Sequence, residues 1–165
     1  MEPDAPDRKV MDLLEQLGIK YTRREHPAVY TVEQARKYDA GIPGAHCKNL
    51  FLRNRKGDRH FLAVFDERTV LDLRESGQKA GAGPLGFASP ERLERILGLT
   101  PGAVGPFGLL HPAAREVIVL LDASLASSSH VSFHPNLNTA TLTLGYADFV
   151  RYLDFVGNPR ILVEV

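Results

Sequence analysis

The sequence predicts an α+β fold, on three observations. Segments of helical periodicity are interspersed with short apolar runs of strand length, and the two do not alternate strictly, as a doubly wound sheet would require. Two of the apolar runs, residues 50–53 and 60–65, are joined by Asn54-Arg55-Lys56-Gly57-Asp58, which marks an antiparallel hairpin with a basic tip. At 165 residues, with 44% hydrophobic and 24% charged, the chain has the size and balance of one globular domain.

Each element has a local reason. Residues 1–7 read as a flexible lead and residues 8–165 as a single domain. Val10, Leu13, Leu14 and Leu17 recur at i, i+3, i+4 and i+7, an amphipathic helix stopped by Gly18. Thr31-Val32-Glu33-Gln34 fits a capping box that opens a short helix towards Tyr38. Gly41-Ile42-Pro43-Gly44 then delivers the chain into a strand. Residues 70–73 read as another short strand or as the entry to a helix, followed by a flexible loop, Gly81-Ala82-Gly83-Pro84. Ser89-Pro90-Glu91 sets a cap, a first-turn proline and a first-turn acid in order, for a helix that ends at Gly98. Residues 117–121 form a buried strand. Residues 139–144 alternate threonine with Ala140, Leu142 and Leu144, a half-exposed strand. A helix over 147–156 stops at Gly157, and 161–165 is a closing strand.

Lysine plus arginine (20) equals aspartate plus glutamate (20). That balance argues against broad, sequence-independent binding along duplex nucleic acid, which needs a basic face. No helix-turn-helix signature or basic recognition helix is present, so sequence-specific DNA binding is not expected. Small basic patches remain at Arg23-Arg24, Arg36-Lys37 and Arg53/Arg55/Lys56/Arg59, each short enough to be a solvated turn. The single cysteine excludes an internal disulfide and fits a reducing, cytoplasmic setting. The acidic start Met-Glu-Pro-Asp-Ala-Pro-Asp is no signal peptide, and no apolar run approaches membrane-spanning length.

Three constellations could carry chemistry. In Ala45-His46-Cys47-Lys48-Asn49-Leu50-Phe51-Leu52, strand alternation puts Lys48 on one face with Leu50 and Leu52, and Cys47, Asn49 and Phe51 on the other. An ammonium on a core-ward face needs an anionic partner, a cleft or a ligand, unless it snorkels out to solvent. Thr100-Pro101-Gly102-Ala103-Val104-Gly105-Pro106-Phe107-Gly108 is a rigid loop whose backbone amides can approach a ligand; it is equally a plain turn. In Ser132-Phe133-His134-Pro135-Asn136, a histidine and an asparagine flank a proline; His134 is either a functional donor or a loop histidine bonded to backbone. Two other chemistries are weighed against these. Cys47 as a nucleophile would take His46 or His134 as its base, but His46 points to the opposite face of the strand and is badly placed to activate it. A metal site among His26, His46, His60, His111, His130 and His134 has no supporting acid–histidine signature.

In this order and spacing, together with His26-Pro27-Ala28-Val29 and Phe87-Ala88-Ser89, these pieces resemble the YbaK/ProX family of aminoacyl-tRNA editing domains. The likeness covers most of the chain and is strongest to free-standing relatives of the insertion domain of bacterial prolyl-tRNA synthetase. The resemblance implies a mixed, mostly antiparallel, barrel-like sheet with flanking helices. It implies hydrolysis of the ester that joins a wrong amino acid to tRNA(Pro), alanine first, in the cytoplasm and without a metal or organic cofactor. Cysteinyl-tRNA(Pro) as substrate, and a non-catalytic module that binds the aminoacyl end, stay open. By the same resemblance Lys48, Gly102 and His134 are the catalytic candidates. Asn49, Ala103, Val104, Gly105, Pro106, Pro135 and Asn136 are the substrate-binding candidates. The implied partner is the tRNA(Pro) acceptor end, with prolyl-tRNA synthetase as an enzyme that could present it. One departure stands out. Many relatives carry a basic residue near Pro84 and a serine near Gly86; here that grip on tRNA must come from elsewhere, with Arg53 and Arg74 as candidates.

Overall fold

A computed structural model describes residues 5–39 and 41–164 of the chain. The strands are β1 (Tyr21–Glu25), β2 (Ala45–Asn54), β3 (His60–Asp66), β4 (Leu85–Phe87), β5 (Ile118–Asp122), β6 (His130–Phe133), β7 (Ala140–Gly145) and β8 (Arg160–Val163). The helices are α1 (Arg8–Gln16), α2 (Val32–Asp39), α3 (Leu73–Lys79), α4 (Pro90–Leu97) and α5 (Tyr146–Val156). The strands form one mixed sheet in the order β1-β7-β6-β2-β3-β5-β8, and β4 adds to β2. Pairs β1–β7, β6–β7, β2–β3 and β2–β4 are antiparallel; β2–β6, β3–β5 and β5–β8 are parallel. The α+β reading and the predominance of antiparallel pairs hold. None of the described helices is long and apolar enough to cross a membrane.

Two apolar layers explain the strand sequences. Leu62 and Val64 of β3 join the main core with Phe51, Val119, Phe133, Leu142 and the inner faces of α1, α4 and α5. Phe61, Ala63 and Phe65 face the other way, into a smaller core with Leu52, Leu85, Leu120 and Val163, which Leu73 and Ala80 help to cover. β3 is therefore buried on both sides, the reason its sequence runs apolar without alternation.

The helix signals act as expected. Gly18, Gly98 and Gly157 follow α1, α4 and α5 with φ of +66°, +67° and +74°, the left-handed conformation that ends a helix. Ser89 Oγ accepts from Arg92 N–H at 3.2 Å. The alternative left open at residues 70–73 resolves as a helix entry, with Asp72 capping Glu75 N–H at 3.0 Å. The capping box at α2 is shifted by one residue. Thr31 Oγ1 accepts from Gln34 N–H at 3.1 Å, but the Gln34 carboxamide returns the bond to Tyr30 N–H, at 2.8 Å. The lead over residues 1–7 falls largely outside the described residues; its last member, Asp7, pairs with Arg23 at 2.7 Å.

One reading is corrected. β7 is buried, not half-exposed: Thr141 and Thr143 are 8% and 5% exposed. Each hydroxyl has a partner, Thr141 on His26 Nε2 and Thr143 on Ser132 Oγ, both at 2.8 Å. A satisfied hydroxyl can lie inside, so threonine alternation does not report exposure. Short β1, β4 and β6 carry too few residues for a periodic signal, and β1 is exposed throughout.

Candidate active site

β2 makes the site because its outer edge is paired only near its ends. Ala45 and His46 pair with β6, and Leu52, Arg53 and Asn54 with β4. Beyond Phe51, whose carbonyl accepts from Ala88 N–H at 3.0 Å, the second ladder stops. Pro90, which has no N–H, already opens α4. On the inner edge the His46 carbonyl accepts from Glu67 N–H at 2.9 Å. Antiparallel alternation then directs the backbone groups of Lys48 and Leu50 towards β3 and those of Asn49 away from it. The middle of β2 thus presents an unpaired edge, and side chains of both faces reach the space beside it.

That space is a cleft of about 280 Å³. Residues 46–50 form one wall, and Phe133 and His134 with Thr141 a second. Pro101, Gly102 and Val104 form a third, and His26, Tyr30 and Tyr38 the rim. Of the candidate residues, the fold brings Lys48, Asn49, Gly102, Val104 and His134 to one cavity. Ala103, Gly105, Pro106, Pro135 and Asn136 stand behind it.

Lys48 lies on the face of β2 that leads to the smaller core, and its Nζ donates to the Thr69 carbonyl. Thr69 donates its hydroxyl to Asp122 Oδ2 at 2.8 Å, and Asp66 N–H reaches the same oxygen at 3.1 Å. The other oxygen of this fully buried carboxylate accepts from Ser124 N–H at 2.9 Å and Ser124 Oγ at 2.7 Å. Four donors therefore hold Asp122, Asp122 holds Thr69, and Thr69 holds the lysine. The lysine's partner is a carbonyl dipole, which leaves its positive charge uncompensated by this contact. On the opposite face, Asn49 Oδ1 is buried with no hydrogen-bond partner. A buried acceptor left empty costs about 1–3 kcal/mol.

His134 Nδ1 lies 2.8 Å from the Ala140 carbonyl. A carbonyl only accepts, so Nδ1 carries the proton and Nε2 is the acceptor in the neutral ring. His26 is held the same way. Its Nδ1 donates to the Pro27 carbonyl at 2.9 Å, and its Nε2 accepts from Thr141 Oγ1 at 2.8 Å. The His26 ring stacks on Tyr38 at 5.5 Å and tilts against His134 at 5.7 Å.

The loop carrying Gly102 is anchored from below. Tyr152, fully buried, donates its hydroxyl to the Pro106 carbonyl at 2.7 Å. Asn136, in the left-handed region at φ +64°, donates from Nδ2 to the Phe107 carbonyl at 3.3 Å. The Asn136 Oδ1 is a second buried acceptor without a partner. At Gly102 a Cβ would come within 2.8 Å of Asn138 Nδ2 and 2.9 Å of the Tyr30 ring, so a side chain there needs one of them to move.

Cys47 borders the cleft, but burial, with the Asp66 carboxylate adding to it, pushes its thiol up to about 12. At neutral pH it is a protonated thiol and a poor nucleophile. His130 and His134 sit at either end of an extended segment rather than one helical turn apart. Among the described residues no three His, Cys, Asp or Glu side chains cluster as a metal centre needs. Sequence reasoning missed Thr69, Asp122 and Thr141, and also Glu67, which lines the cleft beside Lys48. Only Thr141 had a signal, the alternating threonines, and it was read as exposure.

The profile of the aminoacyl-tRNA editing domain matches residues 26–152. The prolyl-tRNA editing protein ProX of Acetoanaerobium sticklandii is 41% identical over 165 residues, all of both chains. Prolyl-tRNA synthetase associated domain-containing protein 1 of Danio rerio is 33% identical over 95% of this chain and 86% of that protein. A crystal structure described provisionally as a trans-editing enzyme for prolyl tRNA synthetase superposes with a TM-score of 0.72 at 24% identity, covering 98% of each chain. At that identity the likeness speaks to the fold.

Proposed function

The chain belongs to the aminoacyl-tRNA editing domain family, and we propose that it is a trans-acting deacylase that hydrolyses mischarged tRNA(Pro), alanyl-tRNA(Pro) first. The observation that carries this reading is the convergence of Lys48, Asn49, Gly102 and His134 on one small cleft at the open edge of β2. An aminoacyl ester is already activated, so its hydrolysis needs a positioned water and charge stabilisation more than a strong base.

In this reading the aminoacyl group enters the cleft and its α-ammonium donates to Asn49 Oδ1, the buried acceptor that lacks a partner. Lys48 faces the developing oxyanion or the terminal phosphate. Backbone amides around Gly102 hold the carbonyl or the attacking water. Water adds to the ester carbon, and the tetrahedral intermediate collapses with departure of the ribose 3′ oxygen, which takes up a proton. The 2′-hydroxyl of the terminal adenosine helps to place the water, and His134, with Nε2 as acceptor, binds a ribose hydroxyl. Ala103, Val104, Gly105 and Pro106 shape the loop; Pro135 and Asn136 brace it.

The biological logic is a double sieve. A proline-charging site rejects the smaller alanine poorly, and a second pocket that admits alanine but not proline removes the error. Prolyl-tRNA synthetase is a candidate for presenting the substrate, in the cytoplasm. The test is release of free amino acid from purified alanyl-, cysteinyl- and prolyl-tRNA(Pro). Alanine release alone is the expected result. Cysteine release would change the substrate and keep the chemistry. An ester protected from hydrolysis on binding would make the protein a binding module.

A further inference from the structure

β2 leaves the cleft and ends in a cluster of arginines. Arg53 stands opposite His60 across the hairpin, and Arg92 and Arg95 project from α4 beside them. Arg92 Nη1 donates to the Gly57 carbonyl at 2.9 Å and to His60 Nε2 at 3.0 Å. A guanidinium only donates, so His60 Nε2 bears a lone pair and the imidazole is neutral. The point a Gly57 Cβ would occupy is 2.9 Å from Arg92 Nη2 and 3.2 Å from Arg53 Nη1, so two guanidiniums flank one spot. The ion pair at this end of the molecule is Lys56–Asp58, at 3.8 Å; among the described residues none of the three arginines pairs with a carboxylate. Glu91, Glu94 and Asp58 are the nearby acids in sequence, against Arg53, Arg55, Lys56, Arg59, Arg92 and Arg95. Burial and the nearby charges of Arg92, Arg95 and Arg53 hold His60 below its ordinary range, as a local excess of positive charge requires.

A net neutral protein that gathers unpaired guanidiniums from two elements pays in like-charge repulsion unless an anion neutralises them. The geometry points to a phosphate-binding surface, formed by Arg53, Arg92 and Arg95, that grips the sugar-phosphate backbone of the tRNA acceptor end while the aminoacyl group occupies the cleft. Arg53 stands four residues along β2 from Asn49, about 13 Å, a span that an unpaired 3′ end can bridge. This inference rests on the tRNA reading above, and it supplies from β2 and α4 the grip that the sequence lacks near Pro84.

The test is binding of uncharged tRNA(Pro), which needs no catalysis, measured over a range of salt. Removing one arginine–phosphate interaction lowers the slope of log affinity against log salt by roughly 1. Arg95→Gln, at an exposed position outside the hydrogen bonds of the cluster, should remove about that much without disturbing the fold. Arg53→Gln/Arg92→Gln/Arg95→Gln should weaken binding about tenfold or more at moderate salt and flatten the slope further. The corresponding triple lysine variant, which keeps the charges, should recover most of the slope. On 3′-O-alanyl-adenosine, which has no phosphates, the triple glutamine variant should hydrolyse like the wild type. Equal tRNA affinity and slope in wild type and variants would overturn the proposal and leave the cluster to an acidic protein surface. Wild-type binding without hydrolysis of either substrate would defeat the deacylase reading and leave the phosphate surface standing.

Discussion

At the scale of single residues, Lys48 is held by the Thr69 carbonyl, and Thr69 by the buried Asp122 carboxylate, which the lysine does not touch. Thr69→Val, which keeps the carbonyl and the volume but removes the hydroxyl, should leave Asp122 short of one donor. We expect a loss of roughly 1 kcal/mol in stability by denaturant titration, together with slower hydrolysis at saturating substrate. Cys47→Ser makes the opposite prediction. Burial first, and then the Asp66 carboxylate, keeps the thiol protonated at neutral pH and a poor nucleophile, so the variant should hydrolyse substrate within a few-fold of the wild type. Loss of all activity in Cys47→Ser, with the fold intact by circular dichroism, would contradict this. Lys48 was legible in the sequence because a charge in an apolar strand breaks its pattern. Thr69 and Asp122 were not, because a turn threonine and a strand-end aspartate are ordinary residues until the fold sets them together.

At the scale of elements, the hairpin, the Ser89 and Thr31 caps and the stop glycines were readable, since each depends on neighbours in sequence; the Asp72 cap and the return bond of Gln34 to Tyr30 were not. The unpaired edge of β2 was not. It exists because β4 and β6 are too short to meet, and because a proline opens α4 where β4 would have continued. The support of the Gly102 loop was hidden for the same reason, since Tyr152 bonds a carbonyl 46 positions earlier in the chain. Tyr152→Phe keeps the ring in the core and removes only that bond, while the Pro106 carbonyl keeps its place in the 3-10 turn Pro106–Leu110. The expected cost is about 1 kcal/mol by thermal or denaturant unfolding, with a raised KM as the loop loosens. An unchanged KM and unchanged stability would mean that the loop holds its shape without the tyrosine.

At the scale of the whole molecule, equal numbers of acids and bases conceal an uneven distribution. The hairpin tip and α4 share an arginine cluster that composition averages away. Its pH signature is at His60, whose folded-state value lies below the ordinary 6.5 through burial first and the charges of Arg92, Arg95 and Arg53 next. Below 6.5 the unfolded chain therefore binds more protons at this site than the folded one. Stability should fall as pH drops from about 6.5 towards the folded value, and His60→Gln should remove that part of the decline in melting temperature. An identical pH profile in the variant would show that His60 does not titrate with folding. The central claim, that the cleft around Lys48 is a hydrolytic centre, is tested most directly by release of free alanine from alanyl-tRNA(Pro) by wild type and Lys48→Ala. The account predicts fast release by the wild type and a loss of about 100-fold or more in a folded variant, as for removal of a charge-stabilising donor. Near wild-type release by Lys48→Ala would contradict it.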